Sequence, residues 1–327
     1  MVLRAALVGA GMMGRNHARV LPTLDGVQLV AVIDENGDQH GVRGDAALLG
    51  SLDELEAGSV DFAVVATPTS THESTVLRLL DWGIHVLVEK PIADTADAGR
   101  RMAQRAEEKN LVGAVGHIER FNPAIQELKK RLSAGDIGEV YQIATRRQGS
   151  FPQRIGDVGV AKDLATHDID LTSWIAGSPY EFVFAQAAHK SGRQHEDMIS
   201  VTGRLRSGVV VNHLVNWLSP MKERVVIVTG DKGSFVADTL TGDLTLHENG
   251  AFAVEWDSFA TFRGVTEGNV TRFAYPKKEP LKAELEAFRD AVHGEYVNVV
   301  TFSEGVQVVR VAEAVLESSD RQETVRL

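Results

Sequence analysis

The chain has 327 residues, 43 % of them hydrophobic, enough for two domains with sizeable cores. Its 34 basic and 45 acidic side chains leave a net charge of −11 with no basic tail, a poor match to nucleic acid. Zero cysteines exclude a disulfide scaffold, thiol catalysis and zinc-ribbon or iron–sulfur sites. No apolar run reaches the ~18 residues of a membrane span, and Met1 leads directly into a strand-like run, so the expectation is a cytoplasmic protein with no membrane partner.

In chain order, the first third alternates short apolar runs with helical patterns. Leu3–Val8, Leu29–Ile33, Phe62–Ala66, His85–Val88 and Leu111–Val115 read as buried strands; Gly14–Leu21, Thr71–Trp82 and Thr95–Lys109 read as helices. That alternation predicts a parallel sheet covered on both faces. From about Gly138 the pattern changes. Val140–Arg146, Phe182–His189, Met198–Leu205, Val209–Trp217, Val225–Thr229 and Ser234–Asp238 are strand-like with few helices between them, and Arg206-Ser207-Gly208 reads as a hairpin turn. A helix over Asp163–Ile175 precedes most of these strands, and two more near Lys282–Val292 and Glu304–Ser318 close the chain. The expected fold is an α/β Rossmann domain over residues 1–118, then an α+β domain over 119–327 with a large, mostly antiparallel, open-faced sheet. Val209, Val211, Val225 and Ile227 are expected on that open face, where an exposed apolar surface marks an interface and predicts a homodimer or homotetramer.

Gly9-Ala10-Gly11-Met12-Met13-Gly14 follows the first strand and opens a helix. The first glycine allows a tight turn, the second lets backbone approach a pyrophosphate, and the third lets helix and strand pack closely, so phosphates sit on exposed helix N–H groups. Asp34 stands 20 residues after Gly14 at the end of the second strand, where a carboxylate bonds ribose hydroxyls and repels a 2′-phosphate. With Glu35 beside it and no arginine until Arg43, the reading is NAD rather than NADP. Thr67-Pro68-Thr69 ends the third strand, where ligands gather in such sheets, with His72 just beyond; a plain turn accounts for it equally well.

Glu89-Lys90-Pro91 directly follows the strand His85–Val88, which places Glu89 and Lys90 at the cofactor crevice as candidate cofactor contacts, with a proline stiffening the turn. Together with Gly9–Gly14, Asp34 and the two-domain layout, this segment resembles the Gfo/Idh/MocA oxidoreductases, over essentially the whole chain. Lys162-Asp163-Leu164-Ala165-Thr166-His167-Asp168-Ile169-Asp170 looks like that family's catalytic helix. On an α-helix Asp163, His167 and Asp170 fall at i, i+4 and i+7, a histidine between carboxylates that orient it and support its cationic form. The same spacing would suit a metal site, but the resemblance implies none. It implies instead that Lys90, His167 and Asp163 carry the chemistry, with either Lys90 or His167 touching the reacting oxygen.

A finer resemblance, to UDP-N-acetylglucosamine 3-dehydrogenases and relatives acting on nucleotide-linked amino sugars, lies in several segments. They are Gly116-His117-Ile118-Glu119-Arg120-Phe121-Asn122-Pro123, Arg146-Arg147, Phe151-Pro152-Gln153-Arg154-Ile155, Asp157-Val158-Gly159-Val160, Asn216-Trp217-Leu218-Ser219-Pro220 and Glu279-Pro280-Leu281-Lys282. Arg146, Arg147 and Arg154 fall in a stretch without acids and suit either a second pyrophosphate, that of a UDP-sugar substrate, or a solvated basic edge. His117, Glu119 and Asn122 sit at the expected domain junction as candidate substrate contacts, with a satisfied junction histidine an equal reading of His117. One departure stands out: between Asp34 and Asp61 the chain is short and broken by Gly37, Gly41 and Gly44, so the usual second helix is expected to be stunted or absent. The alternatives to a UDP-sugar dehydrogenase are a free-sugar or inositol dehydrogenase, a ketosugar reductase, or a cofactor-binding regulator without chemistry.

Overall fold

The computed structural model describes residues 2–152, 158–250 and 266–327. The chain divides into two compact units, the first running to Ile118 and taking back Glu279–Arg310, the second comprising Glu119–Lys278 and Val311–Leu327. The expected division at residue 118 therefore needs one correction, because a late segment belongs with the first unit. Leu281, Leu285 and Phe288, at helical spacing, are buried in its core.

The first unit holds a parallel six-stranded sheet: β1 Leu3–Val8, β2 Val27–Ile33, β3 Ala47–Leu49, β4 Phe62–Val65, β5 His85–Glu89 and β6 Gly113–Gly116, in the order β3-β2-β1-β4-β5-β6. Its central strands are mostly apolar and almost wholly buried because both faces are covered. Alternation along them sorts side chains between two cores. Ala6, Val8, Ala63, Val65, Val86 and Val88 face α2 His72–Asp81, α3 Ala96–Glu108 and the start of α7 Phe302–Arg321. Leu7, Phe62, Val64 and Leu87 face α1 Met12–Val20 and α6 Pro280–Val292. Phe288 meets Phe62 edge to face with centroids 5.5 Å apart and is fully buried, a burial of roughly 1.5–3 kcal/mol. Between β2 and β3 the chain makes only turns, and a single 3-10 turn over Leu52–Glu54 precedes β4, so the second helix is absent as the glycines imply.

The second unit opens with α4 Pro123–Ala134 and β7 Val140–Ser150, then a π-helical turn over Ala161–Ala165 running into α5 Thr166–Ala176. There follow β8 Tyr180–Ala188, β9 Met198–Leu205, β10 Val210–Asn216, β11 Leu218–Gly230, β12 Gly233–Asp238, β13 Asp243–Gly250, β14 Thr266–Arg272 and β15 Val325–Arg326. They form a nine-stranded, mostly antiparallel sheet, β14-β13-β12-β11-β7-β10-β9-β8-β15, in which β7 and β10 run parallel. One face is a core lined by Ile143, Val201, Val226, Val228, Phe235 and Leu244. On the other, Val210 and Leu214 are 43 % and 48 % exposed, with Val225 and Ile227 half-buried beside them. Val209 and Val211, expected there, lie on the covered face, since Val211 pairs in register with Ile143. Adjacent strand residues point to opposite faces, so Val210, not its neighbours, carries the open surface.

Candidate active site

In the first unit, β1 delivers the glycine loop. Gly9 adopts φ +94°, a left-handed conformation that side chains resist, and a Cβ there would stand 2.7 Å from the Ala66 carbonyl oxygen. A Cβ on Gly14 would collide with the Gly9 carbonyl oxygen, whereas Gly11 has nothing within 4 Å of that position. Two glycines thus serve the backbone and the middle one leaves open space. The N–H groups of Met12, Met13 and Gly14 in the first turn of α1 have no intrahelical partners and offer an anion site. At the end of β2, Asp34 accepts the Ala10 N–H at 2.7 Å and the Asn36 N–H at 2.8 Å, fixing a carboxylate with remaining lone pairs beside the loop. These residues fit a dinucleotide: a phosphate cradle with a ribose acceptor next to it.

Lys90, half-buried, follows the last residue of β5, and its peptide bond to Pro91 is cis. Thr67 accepts a hydroxyl bond from Thr71 at 2.8 Å in the half-exposed turn after β4, beside the exposed Pro68. His72 and Glu89, expected among the cofactor contacts, are buried instead. The His72 ring lies 3.0 Å from both the Thr67 and the Pro91 carbonyl oxygens, and burial lowers its affinity for a proton. It ties two loops together from behind. Burial works to raise the Glu89 carboxyl, but the bond from His17 at 2.7 Å and the nearby Lys90 charge outweigh it and hold the carboxyl below its ordinary value. His117 is likewise 1 % exposed.

In the second unit, His167 is half-exposed on the first turn of α5, while Asp163 lies buried in the preceding π turn. Single π turns recur at functional sites because the wide turn re-aims the side chains around it. This one is held from outside: Glu196 accepts the Ala161 N–H at 2.9 Å through its side chain and the Val160 N–H at 3.0 Å through its carbonyl. Asp170, expected to share a face with His167, is closed off by Arg120, whose Nε and Nη2 reach its two oxygens at 2.8 and 2.6 Å.

The arginines do not form one cluster. Arg146 and Arg147 are neighbours on β7 and point to opposite faces. Arg146 is exposed and 3.8 Å from Glu223, while Arg147 is 2 % exposed, with Nε at 2.9 Å from Asp168 and Nη1 at 2.7 Å from Glu119. Burial works against the Arg147 charge, but the two carboxylates overcome it and hold the group above its ordinary value. Glu119 is thereby engaged. Asn122 caps α4, accepting the Ala124 N–H at 3.0 Å and donating to the Thr239 carbonyl at 2.9 Å. Arg154 lies outside the described residues. Among the described residues no group of three His, Cys, Asp or Glu could hold a metal, and no helix is long and apolar enough to cross a membrane.

Residues 129–327 match the C-terminal alpha/beta domain of the Gfo/Idh/MocA oxidoreductase family, and residues 3–117 match its NAD-binding Rossmann fold. The chain belongs to this family. As a Gfo/Idh/MocA protein it is an NAD-binding oxidoreductase. It is 28 % identical over 318 residues to UDP-N-acetylglucosamine 3-dehydrogenase of Acidithiobacillus ferrooxidans, covering 96 % of each chain. The solved structure of that enzyme matches with a TM-score of 0.85, covering 98 % of each chain at 27 % identity. Inositol 2-dehydrogenase 2 of Saccharopolyspora erythraea is 27 % identical over 337 residues, covering 97 % of this chain and 93 % of the relative. GenD2 from gentamicin A biosynthesis, solved in complex with NAD, matches at TM-score 0.82 and 25 % identity, covering 99 % of this chain and 96 % of that one.

Proposed function

We propose that this protein oxidises a secondary hydroxyl, that at C3, of UDP-linked N-acetylglucosamine. The observation that carries this reading is the match to the Acidithiobacillus enzyme over 96 % of both chains. When bound, NAD supplies a hydride acceptor at its nicotinamide ring. The glycine loop would hold its pyrophosphate and Asp34 the adenosine ribose. His167 takes the proton of the substrate hydroxyl, Lys90 stabilises the partial negative charge that grows on the same oxygen, and Asp163 orients His167. Hydride and proton leave together, and the carbinol becomes a ketone.

A second reading, oxidation of a free polyol, is favoured by the near full-length match to an inositol dehydrogenase and by the internal neutralisation of Arg147. Initial rates of NADH formation with UDP-N-acetylglucosamine, N-acetylglucosamine and myo-inositol separate the two. Turnover of the UDP-sugar alone is expected; turnover of myo-inositol without it would establish the second reading. Run in parallel with NADP, the same assay should favour NAD, because Asp34 and Glu35 repel a 2′-phosphate, and Asp34→Ser should narrow the gap. Equal or better use of NADP by the unmodified protein would overturn the cofactor preference.

We also propose a homodimer or homotetramer assembled through the open sheet face that carries Val210, Leu214, Val225 and Ile227. Light scattering should return two or four times the 35.5 kDa chain mass, and a monomer at micromolar concentration would contradict this assembly.

A further inference from the structure

His17 had no place in the motifs read from the sequence, yet it is one of the most deeply buried polar residues of the first unit, at 0 % exposure. It stands on α1, three residues past Gly14, and its Nε2 lies 2.7 Å from Glu89 Oε1. Glu89 ends β5, immediately before Lys90, and its other oxygen accepts the Lys90 backbone N–H at 3.3 Å. Its register partner on β6 is Gly116, where a Cβ would press within 3.2–3.4 Å of the carboxylate. The carboxylate therefore occupies a slot fitted to it.

The sheet order gives the pair its significance. Strand β4 lies between β1 and β5, so no ladder bond joins the strand that feeds the cofactor loop to the strand that presents Lys90. Two strand spacings amount to about 9–10 Å. The His17–Glu89 bond reaches from the loop's helix to the end of β5 across that gap. The His17 Nε2–H donates to the carboxylate, while Nδ1 has no hydrogen-bond partner among the described residues, so the contact to Glu89 is what holds the ring.

We propose that His17 is a positioning residue for the dehydrogenation: by holding Glu89 it fixes the lysine-bearing turn relative to the cofactor loop. This inference rests on the role given to Lys90 above. Small misplacements of a reacting group far from the altered residue cost up to about 10²-fold in rate. His17→Leu, which keeps bulk without a donor, should lower kcat by about 10- to 100-fold. NAD dissociation, followed by fluorescence, should shift less than about 3-fold, because the loop's N–H groups are untouched. His17→Gln can place an amide N–H near the Nε2 position without ever carrying charge, and should restore kcat to within about 3-fold.

The measurements use NAD with whichever of UDP-N-acetylglucosamine or myo-inositol the protein turns over. Glu89→Gln provides a second route should His17→Leu fold poorly. It should lower kcat comparably, and the double variant His17→Leu/Glu89→Gln should be no worse than the poorer single one, as coupled residues behave. Unchanged kcat in both His17→Leu and Glu89→Gln, or equal losses in His17→Gln and His17→Leu, would overturn the proposal. A Lys90→Ala control separates the two layers. If it lowers turnover while His17→Leu leaves kcat unchanged, only the positioning role falls; if it retains turnover, the role of Lys90 falls as well.

Discussion

Replacing Lys90 or His167 by alanine is expected to lower turnover by about 10²-fold or more while leaving NAD affinity nearly unchanged. In the proposed mechanism each residue acts where charge or a proton moves, and such groups contribute on the order of 10²–10⁴ in rate. Oxidation of an alcohol removes a proton from oxygen and a hydride from carbon, so partial negative charge grows on the oxygen until the carbonyl forms. A lysine stabilises that charge only if it touches the oxygen, and a histidine accepts the proton only if it is neutral beforehand. The half-exposed position of His167 allows a substrate to reach it, and the half-buried Lys90 sits at the carboxyl end of a parallel strand, where ligands of such sheets bind. Pre-steady-state and steady-state NADH formation would separate loss of the chemical step from loss of binding. If both variants kept near-normal turnover, the chemistry would lie elsewhere.

Much of this molecule is legible in its residues, because apolar runs and their spacing respond to burial alone. The run Leu3–Val8 is both the expected and the observed first strand, and Met198–Leu205 agrees in the same way. Glycine function was legible too, since a G-x-G-x-x-G turn demands one backbone geometry wherever it occurs. The placement of the arginine pair is less legible, for a local reason. The strand-like run Val140–Arg146 stops short of Arg147, whereas β7 runs on to Ser150 and its alternation sends Arg146 and Arg147 to opposite faces. Helix α4 stands outside the expected elements, although Asn122-Pro123 is a capping residue followed by proline at the first helical position. Other features leave no local trace. The π turn depends on Glu196, remote in sequence, and the sorting of α6 into the first unit depends on what its Leu281-Leu285-Phe288 stripe meets. Such a stripe predicts a helix with a buried face but not the partner. His17 belongs with these, since a buried histidine inside an amphipathic helix looks like any other until its hydrogen-bond partner is known.

Arg147 carries the second large effect, and its direction differs from that of a substrate-binding arginine. Its guanidinium is 2 % exposed and bonded to Asp168 and Glu119, and Asp168 is itself 1 % exposed with Oδ2 lacking a donor among the described residues. Arg147→Met would keep much of the volume yet leave two carboxylates facing each other with their bonded cation gone and only the half-buried, more distant charge of Arg224 nearby. Breaking a buried ion pair from one side costs about 3–5 kcal/mol, because the stranded charge has lost both water and partner. Urea unfolding followed in the second unit, through Trp174 and Trp217 fluorescence, should show a loss of that size. Adding Asp168→Asn and Glu119→Gln to Arg147→Met should recover most of it, since replacing a whole buried ionic group is far cheaper than halving one. Asp168 adjoins His167 on α5, so loosening this anchor should also lower kcat, whichever substrate is used. A diphosphate-binding role makes the opposite forecast. Arg147→Met would then raise the Michaelis constant for UDP-N-acetylglucosamine by about 10- to 100-fold, the value of one or two charge-assisted bonds, with stability and kcat preserved. Unfolding midpoints and Michaelis constants measured on the same variant therefore decide between an arginine that braces the helix beneath His167 and one that binds substrate.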